Sequence, residues 1–142
     1  MNFLSIFDVI GPNMIGPSSS HTAGAVSMAL VARKMFPEKI CKVKFVLYGS
    51  FAKTYHGHGT DRALLGGILG FSTDDARIRD AFTLAKEAGV EFDYIADEVT
   101  ITDHPNTADI YMTGVNGYEM MVRGESIGVG KIKIVRINDI DV

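Results

Sequence analysis

Apolar residues recur at helical spacing through residues 18–36, SSSHTAGAVSMALVARKMF, after serines able to cap a helix start and ahead of Pro37, a stop signal. The pattern predicts a helix there. Residues 42–50, KVKFVLYGS, are apolar and partly alternating before a glycine, which predicts a strand ending at Gly49 with a glycine- and histidine-rich loop behind it. Thr60 or Asp61 can cap a short helix through Leu64, Leu65, Ile68 and Leu69. Asp74 and Asp75 open another, through Ile78, Phe82 and Ala85 to Gly89. Beyond Gly89 the period changes. EFDYIA (91–96), EVTITD (98–103), DIYMTG (109–114), YEMMVRG (118–124) and KIKIVRI (131–137) read as short strands, with Asn116-Gly117 a hairpin signal between two of them. Helices gathered early and strands gathered late predict an α+β fold, with helices packed on one mixed, largely antiparallel sheet, and not a doubly wound nucleotide fold.

The chain has 142 residues, of which 46% are hydrophobic and 22% charged, so one folded domain over 1–142 is expected. There is no low-complexity tract or internal repeat at which to divide it. Fourteen Lys and Arg against seventeen Asp and Glu give a net charge of -3, which leaves no basic footprint for nucleic acid. The opening MNFLSIFDVIGP lacks a basic leading region and carries Asp8, so it does not read as a secretory signal. No stretch approaches the roughly 20 apolar residues of a membrane span, and a cytoplasmic location is expected. A single thiol, Cys41, can neither close an intrachain disulfide nor supply the thiolates of an iron-sulfur cluster. Its ordinary reading is a half-buried small hydrophobe.

Three segments hold the four histidines. In the first, Ile15 to Gly24, Ser18, Ser19, Ser20, His21 and Thr22 sit at the predicted helix start, where free N–H groups and the helix dipole favour a carboxylate. A serine-capped helix with a structural His21 accounts for the same residues. The second is Tyr55-His56-Gly57-His58-Gly59-Thr60-Asp61, whose glycines leave the imidazoles little steric cover, so that a histidine there can exchange protons near neutral pH. An H-x-H pair can also bind zinc, but no third ligand is placed by local spacing. The third is Thr102-Asp103-His104-Pro105-Asn106-Thr107, in which Pro105 restricts His104 to extended geometry. Alone it would be an ordinary proline turn.

Taken together, SIFDVIGPNMIGPSSSHTAGA, LYGSFAKTYHGHGTDRALLGGILGF, HPNTA and ESIGVGKIKIVRIN resemble, in order and over nearly the whole chain, segments of the beta chain of the oxygen-sensitive, iron-sulfur L-serine dehydratases. The resemblance implies that L-serine loses water to give pyruvate and ammonia. Its β-hydroxyl would sit on the open iron of a 4Fe-4S cluster carried by a separate alpha subunit, with no pyridoxal phosphate and no metal bound by this chain. It implies His58 as the base and His104 as a second proton-transfer or hydroxyl-orienting group. Ser18, Ser19, Ser20, His21 and Thr22 would line the substrate end, with Asn106 and Thr107 as weaker candidates. Thr60 and Asp61 would orient His58, although capping the next helix explains them equally well. His56 stands where the family often has lysine and is given a basic rim role at most. The resemblance also implies a fold like the substrate-binding regulatory domain of some phosphoglycerate dehydrogenases. A rival reading follows from that, a non-catalytic module that binds serine or a hydroxy acid. A zinc hydrolase built on the histidines is a third. Many beta chains continue into an ACT regulatory domain, which this sequence is expected to lack, and a homo-oligomer stays open.

Overall fold

A computed structural model describes residues 19–54, 59–128 and 130–142, with the side chains of residues 19–21 left aside. In order the elements are α1 (Ser19–Met35), β1 (Ile40–Tyr48), α2 (Gly49–Thr54), α3 (Thr60–Ile68), a 3-10 turn (Ala76–Asp80), α4 (Ala81–Glu87), β2 (Glu91–Asp97), β3 (Thr107–Gly114), β4 (Glu119–Gly128), β5 (Lys131–Ile137) and β6 (Ile140–Asp141). Six strands form one sheet in the order β2-β1-β3-β4-β5-β6. Only β1 and β2 are parallel; the other neighbours run antiparallel. A parallel pair needs a crossover, and α2, α3 and α4 supply it between β1 and β2.

The core lies between the sheet and the helices. Val43, Phe45 and Leu47 of β1, Ala108, Ile110 and Met112 of β3, and Val122 of β4 alternate inward and are buried. Against them α1 sets Ala25, Val26, Met28, Ala29 and Ala32, a helical stripe made mostly of small residues. That small stripe lets backbones approach. A Cβ on Gly67 of α3 would lie 2.5 Å from Ala29 Cβ and 2.6 Å from the Val26 carbonyl oxygen. On the other side of the crossover Phe82 of α4 stacks on Phe92 of β2 at 5.3 Å, and Tyr94 stacks on Phe45 at 5.1 Å. The alternate residues face away from the helices, among them Lys44 and its cross-strand partner Tyr111, in cation–π contact at 4.7 Å.

The α+β architecture and the Asn116-Gly117 hairpin between β3 and β4 are as read from the sequence. Four local readings need correction. Residues 98–103 are not a strand: the Asp97 carboxylate accepts from Val99 N, Thr100 N and Thr100 Oγ1, which turns the chain and consumes the amides a ladder would use. Val99 and Ile101 are consequently 89% and 94% exposed. Gly49 opens a short helix, α2, where a loop was expected. The Asp74–Asp75 helix starts as a 3-10 turn, with Asp75 accepting from Arg77 N. Gly59, at φ 75°, takes the N-cap of α3 without a side-chain cap bond, so neither Thr60 nor Asp61 caps that helix; Asp61 accepts from Arg62 N instead.

Candidate functional site

The turn that carries His104 sits where β3 begins, beside the ends of β1 and β4. Within it the Thr102 and Thr107 hydroxyls both donate to the His104 carbonyl, at 2.7 and 2.5 Å. The Asn106 N–H donates to His104 Nδ1 at 3.1 Å. Two outside elements hold it further: Ser50 N of α2 donates to the Pro105 carbonyl at 2.7 Å, and Ser126 N of β4 donates to the Asn106 carbonyl at 2.9 Å. Because Nδ1 of His104 is an acceptor here, its neutral ring carries the proton on Nε2 and presents a donor on the ring's far side.

Ser126 also connects α1 to this turn. Its side chain is buried and stands where a Cβ on Gly24 would collide with its Oγ, so the second turn of α1 rests on the residue whose amide holds Asn106. The first turn of α1 contains Ser19, Ser20, His21 and Thr22, and Thr22 is buried. At the head of α3 the Tyr94 hydroxyl donates to the Asp61 carbonyl at 2.5 Å, and Thr60 is fully buried with Oγ1 lacking a hydrogen-bond partner among the described residues.

The structure thus brings His104, Asn106 and Thr107 into one turn, and contacts with Gly49 and Ser50 of α2, Ser126 of β4 and, through Ser126, Gly24 of α1 surround it. Ser18, His56 and His58 lie outside the described residues, as do the side chains of Ser19, Ser20 and His21. Among the described residues no three His, Cys, Asp or Glu side chains gather as a metal cluster would require. Cys41, partly buried, is near the start of β1, at the opposite end of that strand from the His104 turn.

Sequence reasoning missed the charged group behind this turn. Asp109 of β3, 2% exposed, accepts from Arg123 Nε at 2.7 Å and Nη2 at 3.0 Å, and from the Tyr48 hydroxyl at 2.8 Å. Burial and then the Asp109 carboxylate push the Tyr48 hydroxyl up to about 12. The Asp109 hydrogen bonds hold Arg123 above its ordinary value. An Asp inside the otherwise apolar run TADIYM was the one available signal, since a charge at a strand's centre needs a partner. A polar cavity of about 400 Å³ opens beside Arg123, lined among others by Thr102, Asp103, Thr107, Glu125 and Lys133.

An α+β domain with a histidine turn anchored at one end of its sheet is the class these features define. A model of the serine dehydratase beta chain family matches residues 5–133, and the chain belongs to that family. The L-serine dehydratase beta chain of Peptoniphilus asaccharolyticus is 51% identical over 140 residues, covering 99% of this chain and 63% of that protein. The probable L-serine dehydratase beta chain of Bacillus subtilis strain 168 is 48% identical over 139 residues, 97% of this chain and 62% of that one. An L-serine dehydratase of Helicobacter pylori is 32% identical over 124 residues, 74% of this chain but 26% of that protein. This chain therefore spans a little under two thirds of the beta chains it matches. No helix among the described residues is long and apolar enough to cross a membrane.

Proposed function

We propose that this chain is the beta subunit of a cytoplasmic L-serine dehydratase, which removes water from L-serine to give aminoacrylate and, after tautomerisation and hydrolysis, pyruvate and ammonia. The observation that carries the reading is the anchoring of His104 by α2 and β4, within a chain of this family. A 4Fe-4S cluster does not fit the donors here, because the chain has one thiol and Cys41 lies at the far end of β1 from His104. The cluster is assigned to a separate alpha subunit.

What this chain contributes is binding, orientation and proton handling. The α1 start, with Ser18, Ser19, Ser20, His21 and Thr22, receives the substrate carboxylate through hydroxyl and backbone donors. His58 removes the α-proton, and the head of α3, with Thr60 and Asp61, orients it. His104 directs its Nε2 donor at the departing hydroxyl, a direction supported by the Asn106 bond to Nδ1. Thr107 is buried with its hydroxyl on the His104 carbonyl, which favours holding the turn over touching substrate.

The test is reconstitution. The chain alone should form no pyruvate, and adding an iron-loaded alpha subunit under anaerobic conditions should start turnover; failure with the authentic partner would overturn the reading. His58→Ala should then lower kcat by a factor of about 100 or more. A change confined to serine affinity would point instead to a binding module like the regulatory domain of some phosphoglycerate dehydrogenases.

A further inference from the structure

We infer that Tyr48, Asp109 and Arg123 form a positioning clamp that sets the geometry of the His104 turn, an inference that rests on His104 acting at the site. The three residues come from three neighbouring strands: Tyr48 ends β1, Asp109 is the third residue of β3, and Arg123 lies directly across from Asp109 on β4. Each stands close in sequence to a group that grips the turn. Tyr48 precedes Ser50 by two residues, and Ser50 N holds the Pro105 carbonyl. Asp109 follows Thr107 by two, and the Thr107 hydroxyl holds the His104 carbonyl. Arg123 precedes Ser126 by three, and Ser126 N holds the Asn106 carbonyl.

The clamp's chemistry suits location better than stability. The Asp109 carboxylate is buried and the Arg123 guanidinium half-buried, so both lose solvation and the pair gains little net stability over apolar residues of the same volume. What it fixes is geometry. The planar guanidinium meets both Asp109 oxygens through Nε and Nη2, which allows one register and one tilt of β3 against β4. The Tyr48 hydroxyl, on Asp109 Oδ2, adds the end of β1 to the same carboxylate. A site group has to be held to within about 0.5 Å, and a slip of any of these strand ends would reach His104 through its own anchor. The clamp also faces away from the α1 core: Val46, Asp109 and Arg123 are cross-strand partners on the side opposite Leu47, Ala108 and Val122. It can be altered without opening a cavity among the buried apolar residues.

The experiment uses amide hydrogen exchange and the ¹⁵N shift of His104 Nδ1 in the full chain without a partner, followed by turnover with the alpha subunit. In Asp109→Asn and in the apolar pair Asp109→Leu with Arg123→Met, the Ser50, Asn106 and Ser126 amides should exchange about 10-fold faster or more. Core amides such as Phe45 and Ile110 should be unchanged. His104 Nδ1 should move toward the shift of an imidazole nitrogen without a donor. In the reconstituted enzyme kcat should fall about 10-fold or more while KM for serine stays within about 2-fold, and Arg123→Lys should not restore it, since an ammonium cannot make the paired contact. Tyr48→Phe removes one hydroxyl and no charge, so it keeps the test open should an Asp109 variant fail to fold, and it should show the same pattern at about 3-fold. Unchanged exchange and ¹⁵N shift, or acceleration spread evenly over the whole sheet, would overturn the clamp. Full turnover in His104→Ala would instead overturn the role of His104, a separate failure that the exchange pattern does not touch.

Discussion

Ser50 donates its N–H to the Pro105 carbonyl at 2.7 Å, a single backbone bond that ties the first turn of α2 to the turn bearing His104. Gly49 makes the approach feasible. Its φ is 55°, and a Cβ there would collide with the same Pro105 oxygen. Gly49→Ala combines a left-handed backbone with backbone overlap, so it should cost about 2 kcal/mol or more and lower turnover of the folded enzyme. Urea unfolding and kcat of the reconstituted enzyme check both; an unchanged unfolding midpoint would show that the two turns can separate freely.

The α1–α3 contact is also too close for a side chain. A Cβ on Gly67 would meet Ala29 Cβ at 2.5 Å and the Val26 carbonyl oxygen at 2.6 Å, and backbone cannot rotate out of the way. Gly67→Ala is expected to destabilise the chain by about 1–3 kcal/mol, partly offset by the better helix propensity of alanine. Because Gly67 packs on the backbone and side chains of α1 and has no role in binding or proton handling, the fraction that stays folded should keep its kcat, which activity normalised to folded protein by circular dichroism will test.

Tyr48 carries an alkaline prediction. Its hydroxyl titrates near 12 when folded, against an ordinary value of 10.0, chiefly because it is buried and then because it bonds to Asp109. The folded state thus holds this proton more tightly. Its contribution is complete below pH 10 and is lost as the pH rises to about 12, a change on the order of 3 kcal/mol. Tyr48→Phe should be less stable than the parent at pH 8, yet lose stability less steeply between pH 10 and 12. Parallel urea titrations across that range decide it, and identical slopes would place Tyr48 in an unperturbed setting.

Asp97 makes the opposite, acidic case. Hydrogen bonds from Thr100 N, Thr100 Oγ1 and Val99 N hold its carboxyl below the usual range. The turn they form is intact above the ordinary carboxylate range and loosens as the pH falls through the depressed value. Asp97→Ala should release the Val99 and Thr100 amides to rapid exchange at neutral pH, with β1 and β3 amides unaffected; retained protection would mean the turn is held by something else.

α1, β1 and β4 could be read from the sequence because each buries one face, while α3, buried at every residue but Arg62, and β3 were legible as apolar runs bounded by turn residues. Residues 98–103 could not. Their alternation of Val99, Thr100 and Ile101 suits a strand, but one carboxylate at Asp97 captures the amides first. The HPNT turn was visible as a turn, whereas its bonds to Ser126 and Ser50 join residues 20 and 55 positions apart, and local pattern carries no tertiary distance. The Asp109 group was hidden for the same reason: its meaning depends on the register that sets Val46, Asp109 and Arg123 side by side.

The grip on Asn106 comes from β4, one of the later strands in the chain, while the grip on Pro105 comes from α2, near the first third. A polypeptide emerging from the ribosome therefore has α1 and the HPNT turn well before Ser126 arrives to join them. The histidine geometry is thus among the last features of the domain to mature as the chain is made.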